Sequence, residues 1–536
     1  MYSVLIRNAR IVDGSGNPWF MGDLGIDGQT IAGVGHLGAV RADLVIDGSG
    51  LVVAPGFIDI HTHSDVPLLV DGDGHAHIRQ GVTTNVIGNC GGSSAPMTDE
   101  QAAQAGRQQF DMPDFVWDWR SLGDYFARLE RQGTSLNVAA LVGQGTVRGA
   151  VMGFADRPAT PGEVAQMAEI VRQAMLDGAF GLSTGLVYVP GSYAATDEII
   201  ELARVAASFG GIYASHIRGE NDTLLTAVAE AIEIGRAARI PVQIAHFKAM
   251  GRHMWGRSVD SIEMVDEARR QGVDVTCDQY PYNASATGLG SFLPGWAHVG
   301  GSEALKQRLS DPATRARLKQ DILNGIDGWV SFHKGVGWDN TLITHAQDHS
   351  LEGLTVSEIA HRLGKDEFDA AFDILADNLG RVSVVYFTIG DEDIERIMRH
   401  DAVMIGSDSS AVAAEGPLAK GKPHPRAFGT FVRVLGAYVR QKGVISLENA
   451  VRKMTSLPAQ RLGLPDRGLL RPGMKADVVL FDPATVADQA TYTDPMRYPA
   501  GIEYVLVNGR LTVCRGKHLG IRAGAVLRHP LPKGVR

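Results

Sequence analysis

The sequence predicts an α/β protein: a (β/α)8 TIM-like barrel, a small β-sandwich domain built from both termini, and an insertion near the barrel mouth. Three observations carry that prediction. Short apolar stretches alternate with amphipathic helical ones through the middle of the 536-residue chain, the pattern of repeated βα units. Several of those stretches end in His, Cys or Asp, and functional groups of parallel barrels gather at the C-terminal ends of strands. The two chain ends share a different texture, short strands broken by Gly-rich turns.

Residues 1–54 carry the turn sequences Asp13-Gly14-Ser15-Gly16, Asp27-Gly28 and Asp47-Gly48-Ser49-Gly50, and read as the N-terminal part of the sandwich. Residues 468–536 return to that texture around Gly473 and in Val507-Asn508-Gly509-Arg510, and read as its C-terminal part. Between them, residues 55–467 are expected to form the barrel. Strands are expected at 57–63, 82–88, 137–142, 179–184, 212–216, 242–246, 273–278 and 402–408. The interval between the last two is too long for one crossover helix, so 283–400 read as an inserted subdomain, with strand-like pieces at 329–333, 342–345 and 382–387 and a helical stretch over 357–375.

Composition narrows the partners. A hydrophobic fraction of 44% is ordinary for a globular chain. A net charge of -9 and the lack of a dense basic run argue against nucleic acid and anionic membranes and leave small molecules. No run approaches about 20 apolar residues and the N-terminus has no leader-like basic flank, so the cytoplasm is the expected location. Only Cys90, Cys277 and Cys514 occur, which is no disulfide framework.

The strand over 57–63 ends in His61-Thr62-His63. Residues two apart share one face of a strand, so both imidazoles would project together, and zinc is the leading metal for such a pair. His75 and His77 offer a contrast: they follow Asp71-Gly72-Asp73-Gly74 with no apolar run before them, and read as a solvated loop or helix start. Cys90 lies just beyond the second strand, and His216 and His246 end the fifth and sixth. Any one alone would be an ordinary buried residue. Together they give a thiolate and two imidazoles at one edge, three protein ligands with a position left for water or substrate. Asp408 ends the eighth strand, placed either as a proton acceptor beside the metal or as a helix N-cap.

The set His61-Thr62-His63, Asn89-Cys90-Gly91, Ser215-His216-Ile217-Arg218-Gly219-Glu220, His246-Phe247-Lys248, Asp278 through Tyr282 and Gly406-Ser407-Asp408 resembles the D-aminoacylase (N-acyl-D-amino-acid deacylase) family of the amidohydrolase superfamily. The resemblance covers nearly the whole chain. It implies zinc-dependent hydrolysis of N-acyl-D-amino acids to a carboxylate and a free D-amino acid. It further implies that Cys90, His216 and His246 hold a tight zinc, that His61 and His63 serve a second, weaker position, and that Asp408 is the acid/base. The fourth strand has no lysine to bridge two metals, so Cys90 would take that place, which argues against hydantoinase or dihydroorotase chemistry. Ser409 departs from the glycine that relatives often carry there. For the substrate carboxylate, Lys248 and Arg426 are candidate cations and Tyr188, Tyr282 and Ser285 candidate hydroxyl donors. A metal-dependent hydrolase of cyclic amides or dipeptides and a non-catalytic scaffold are the alternatives. The preferred side chain and acyl group and the oligomeric state are not legible.

Overall fold

The computed structural model describes residues 1–108 and 115–531. Parallel strands occupy the middle of the chain. Six run in the order Val403–Ile405, Val275–Gln279, Val242–Ile244, Ile212–His216, Gly181–Gly185 and Val142–Gly143. Three more, Phe57–Asp59, Val82–Ile87 and Asn137–Ala140, form a second parallel sheet. Only Leu141 separates Asn137–Ala140 from Val142–Gly143, and a parallel bridge joins Thr62 to Ser409 just past the first and last strands.

Parallel neighbours need crossovers, and helices supply them: Leu122–Gln132, Pro161–Asp177, Thr196–Ser208, Leu224–Ala238, Ser258–Arg270 and Asp391–Arg399 intervene between successive strands. The sequence sets their ends. Thr160 and Glu163 make a capping box ahead of Pro161, and Gly178 closes the same helix in the left-handed conformation. With helices packed outside, the strands are buried throughout, and Leu182, Val242 and Ile244 share one apolar cluster with Ile199, Leu202 and Val228 of the helices.

Several strands stop short of the stretches read from sequence. The first ends at Asp59, the sixth at Ile244 and the eighth at Ile405. His61, His63, His246 and Asp408 therefore lie on the loops beyond, and strand alternation does not set their directions.

The chain ends meet in a nine-stranded sheet ordered Lys517–His518, Arg510–Cys514, Ile502–Val507, Val478–Phe481, Val52–Pro55, Tyr2–Ile11, Phe20–Asp27 and Thr30–Gly35, with Ala42–Asp47 pairing Tyr2–Ile11. Antiparallel pairing of Val478–Phe481 with Val52–Pro55 is the seam, and Ile6, Leu24, Val53, Val478, Leu480 and Leu506 pack beside it. Residues 532–536 of the expected C-terminal part lie outside the described residues.

Between the last two parallel strands, an antiparallel sheet of Ala284–Gly288, Ser383–Phe387 and Thr341–His345 carries the helices Gly301–Ser310, Pro312–Asn324, Val356–Leu363 and Glu367–Asp377. This unit has its own core around Phe292, Phe332, Trp338, Phe372 and Tyr386. Residues 329–333 form no strand, only a single bridge from Trp329 to Ile326, and the helical stretch over 357–375 is two helices. Among the described residues, no helix is long and apolar enough to cross a membrane.

Candidate metal centre

The C-terminal ends of the parallel strands and the loops beyond them bring six side chains from distant sequence into one cluster. Cys90 Sγ lies 3.2 Å from His61 Nε2 and 3.6 Å from His246 Nε2. His246 Nε2 lies 2.7 Å from His216 Nδ1. His61, His63, Cys90 and Asp408 form one set of converging ligand atoms, and Cys90, His216 and His246 another, each within 4.8 Å. Cys90 belongs to both.

The backbone is bent to make this possible. Cys90, His246 and Asp408 adopt positive φ of 52°, 34° and 49°, three of the eight non-glycine residues that do so among the described residues. Such conformations cost about 1–3 kcal/mol each and gather at functional sites. Gly91, at φ 70°, follows Cys90, and a Cβ there would come within 2.5 Å of the Gly185 backbone nitrogen. Glycine is what lets the cysteine loop lie against the strand Gly181–Gly185.

The electrostatics favour a cation. Burial opposes ionisation of Cys90, but His61, His246 and His216 draw its thiol well below the ordinary range, so it is poised as a thiolate. His216 Nε2 is buried without a hydrogen-bond partner. A thiolate, four imidazoles and a carboxylate with converging lone pairs fit a zinc-type ion in both sets.

Further side chains fix the imidazoles. Asp278 accepts from His61 Nδ1 at 3.1 Å and from the His246 amide at 2.8 Å, while Gln243 holds its other oxygen at 2.8 Å. Glu220 lies 3.0 Å from His246 Nδ1 and 2.5 Å from Lys248 Nζ. These contacts leave Nε2 of His61 and His246 facing the cluster.

Asp408 stands at the open side. Its Oδ1 is 3.0 Å from His63 Nε2 and its Oδ2 is 2.9 Å from Arg426 Nη1. Burial alone would raise its pKa, but Arg426, His61 and His63 hold the carboxyl well below the ordinary range. His63, Cys90, Asp408 and Arg426 line one end of a cavity of about 700 Å³ that runs out past Met97, Thr146 and Phe154.

The residues expected to bind substrate divide. Arg426 and Tyr188 line the cavity. Arg426 stacks on Tyr280 at 4.6 Å, and its Nε and Nη1 make no hydrogen bond. Tyr188 packs edge-on against His216 with its hydroxyl 3.1 Å from Thr287 Oγ1. Ser285 is buried and bonds Tyr280 at 2.8 Å. Tyr282 is buried too, 3.4 Å from the Pro425 carbonyl and edge-on to His424. Lys248 does not follow His246 toward the cavity: it is 5% exposed and gives its protons to Glu220 and the His246 carbonyl, with Nζ 2.9 Å from His246 Nδ1. The strand has ended by then, so two-residue alternation no longer applies.

His75 begins a short helix, but the solvated reading fails for His77, which is fully buried between Asn85 and Ser409 at 3.1 Å each. The Ser409 hydroxyl also bonds Ser407 at 2.9 Å, so this departure ties the Asp408 loop to the interior. Asp278, Glu220 and Tyr280 were not singled out from sequence, although they lie inside the quoted motifs. For Glu220 the available signal was an acidic residue four positions past His216; Asp278 and Tyr280 lie far along the chain from any ligand histidine and offered none.

The amidohydrolase family profile matches residues 44–513. A D-aminoacylase of Alcaligenes xylosoxydans xylosoxydans is 38% identical over 98% of this chain and 97% of its own. An N-acyl-D-glutamate deacylase of the same organism is 38% identical over 94% and 92%. A crystal structure of D-aminoacylase superposes with a TM-score of 0.82 at 37% identity, covering 98% of this chain and all of the other. The N-acyl-D-glutamate deacylase of Bordetella bronchiseptica, complexed with zinc and a phosphonate mimic of the tetrahedral intermediate, gives 0.82 at 36%, covering 98% and 99%. The chain belongs to the amidohydrolase family, within its D-aminoacylase (N-acyl-D-amino-acid deacylase) group.

Proposed function

We propose that this enzyme hydrolyses the amide bond of N-acyl-D-amino acids with the help of zinc. One observation carries the reading: an ionised Asp408 and the Arg426 guanidinium paired with it line the same cavity as Cys90 of the convergent cluster. In this reading the parallel strands form one closed (β/α)8 barrel of residues 55–467, supported by the single-residue break at Leu141 and the Thr62–Ser409 bridge. The paired chain ends make the sandwich, and the unit around 283–400 is the insertion. Cys90, His216 and His246 would hold the tight zinc, and His61 and His63, with Cys90, would serve a second, weaker position.

Bound zinc would polarise the acyl carbonyl and acidify a water. The protein's own groups move the protons. Asp408 accepts one from the attacking water and returns it to the departing nitrogen, so that a neutral amine leaves rather than an amide anion. Arg426 has donors to spare and grips the substrate carboxylate. That contact draws the guanidinium from Asp408 and makes the carboxylate a stronger base once substrate is bound. Burial and the Cys90 charge keep the Tyr188 phenol far above its ordinary pKa, so it stays protonated and able to donate. Lys248 acts through His246, as the partner that keeps that ring in place with Glu220.

The test is hydrolysis of N-acetyl-D-amino acids beside their L-enantiomers, hydantoins and dipeptides, with zinc measured on the same preparation. Turnover confined to the D-series with zinc bound is expected, and Cys90→Ala should lose both. Turnover of cyclic amides or dipeptides alone would overturn the reading.

A further inference from the structure

We infer, building on the deacylase reading, that the D-amino acid released by this enzyme has a neutral, apolar side chain, taken into the second cavity behind Tyr188. That cavity, of about 400 Å³, lies against the main one and shares Tyr188 and Val189 with it. Its wall is largely aromatic and aliphatic: Trp296, Trp329, Phe332 and Leu293 come from the inserted unit and Val187 from the loop after Gly181–Gly185. The carbon that carries the carboxylate also carries the side chain. Gly288 of this cavity adjoins Thr287 of the main one on the strand Ala284–Gly288, so the side chain follows the inserted unit. The acyl group is left to the arm past Met97 and Phe154.

Charge decides between the specificities named for the relatives. A buried second carboxylate, as in D-glutamate or D-aspartate, needs a cation with unspent donors. Arg218 is the one arginine in this wall; its charge is paired with Glu230 and four of its five N–H donors are taken. Its Nε reaches both Glu230 oxygens at 3.2 and 2.9 Å, Nη1 donates to the Ser192 carbonyl at 3.0 Å, and Nη2 donates to the Ala194 carbonyl at 3.0 Å and to Glu230 at 2.9 Å. Glu230 cancels its charge as well as filling its hydrogen bonds. His298 bonds the Gly290 carbonyl at 3.0 Å, and burial lowers its pKa and keeps it neutral. Asp156 adds a negative charge to the same wall. In the main cavity Arg426 is the one arginine or lysine among the described residues, and the α-carboxylate requires it.

The test compares kcat/KM for N-acetyl-D-leucine, -methionine and -phenylalanine with that for N-acetyl-D-glutamate and -aspartate on the zinc enzyme. The neutral series is expected to lead by at least about 100-fold, the scale on which a site rejects a group it cannot pair. Glu230→Gln removes the charge that cancels Arg218 and keeps the shape, and should raise the acidic-to-neutral ratio about tenfold. Competitive inhibition of the wild-type enzyme by D-leucine and D-glutamate reads the same preference without a variant, with D-leucine expected to bind more tightly. Equal or faster hydrolysis of the acidic substrates, or tighter D-glutamate binding, would overturn the inference while leaving the deacylase reading intact. An unchanged ratio in a folded Glu230→Gln enzyme would overturn the placement in this cavity. No turnover of any D-substrate would overturn the deacylase reading and this inference with it.

Discussion

Asp408 shows how a residue can be legible in kind and not in circumstance. Its type and its place at the end of the last parallel strand were readable, because a carboxylate past an apolar stretch has few other uses at that edge. Its pairing with Arg426 was not, since 18 positions separate them and no periodicity links a loop to the start of the helix Arg426–Arg433. Of the two roles the sequence leaves open for Asp408, the helix N-cap falls away, because among the described residues no helix begins between Ile405 and Arg426. As an acid/base, Asp408→Asn should lower turnover by about 10²–10⁴-fold while the tight zinc stays, because Cys90, His216 and His246 are untouched. Kinetics with zinc analysis on one preparation tests this, and near-normal turnover would remove the assignment.

At the scale of elements, strand positions were readable and strand ends were not. Each of the eight stretches read from sequence overlaps an observed strand, because apolar runs between turn residues are a local signal. The ends depend on which neighbour the backbone meets, which is why His246 and Lys248, two apart, point to different surroundings. The loop Gly88-Asn89-Cys90-Gly91 makes the dependence testable. Gly91 combines φ of 70° with a backbone nitrogen 2.5 Å from where a Cβ would stand, so Gly91→Ala cannot be absorbed by moving a side chain. The variant should lose about 1–3 kcal/mol of stability. It should also lose zinc, because relief of the clash moves the Cys90 loop. A folded Gly91→Ala protein with full zinc content would show that the loop has slack and that Cys90 is not held by it.

Across the whole molecule, the paired chain ends do more than share a sheet: they brace the parallel strands through a buried polar network. Asp477, at the entry to Val478–Phe481, accepts from Arg467, from Asn137 Nδ2 at 3.0 Å and from the Asn508 amide at 2.7 Å. Asn508 Nδ2 returns to Asn137 Oδ1 at 2.8 Å. Asn137 begins the strand Asn137–Ala140, so one network ties that strand to the sheet of the termini. The chain then runs on beside it, with Val138 bonding the Ala525 carbonyl at 2.9 Å and Leu527 bonding the Val138 carbonyl at 2.8 Å. None of this was legible in sequence, because polar residues 340 positions apart leave no pattern along the chain. Arg467→Met should leave Asp477 buried without its cation, at a cost of about 3–5 kcal/mol. The cost should depend on pH with a definite sign. Burial already holds the Asp477 pKa above its ordinary value against the pull of Arg467. Removing the arginine raises it further, so the folded variant binds more protons than the unfolded chain, and stability falls as pH rises. Urea titrations of Arg467→Met and wild type should therefore diverge more at pH 8 than at pH 5. Adding Asp477→Asn should flatten that difference, because the asparagine has no proton to exchange. A deficit for Arg467→Met that is the same at both pH values would mean that lost packing of the arginine, and not a stranded carboxylate, sets the cost.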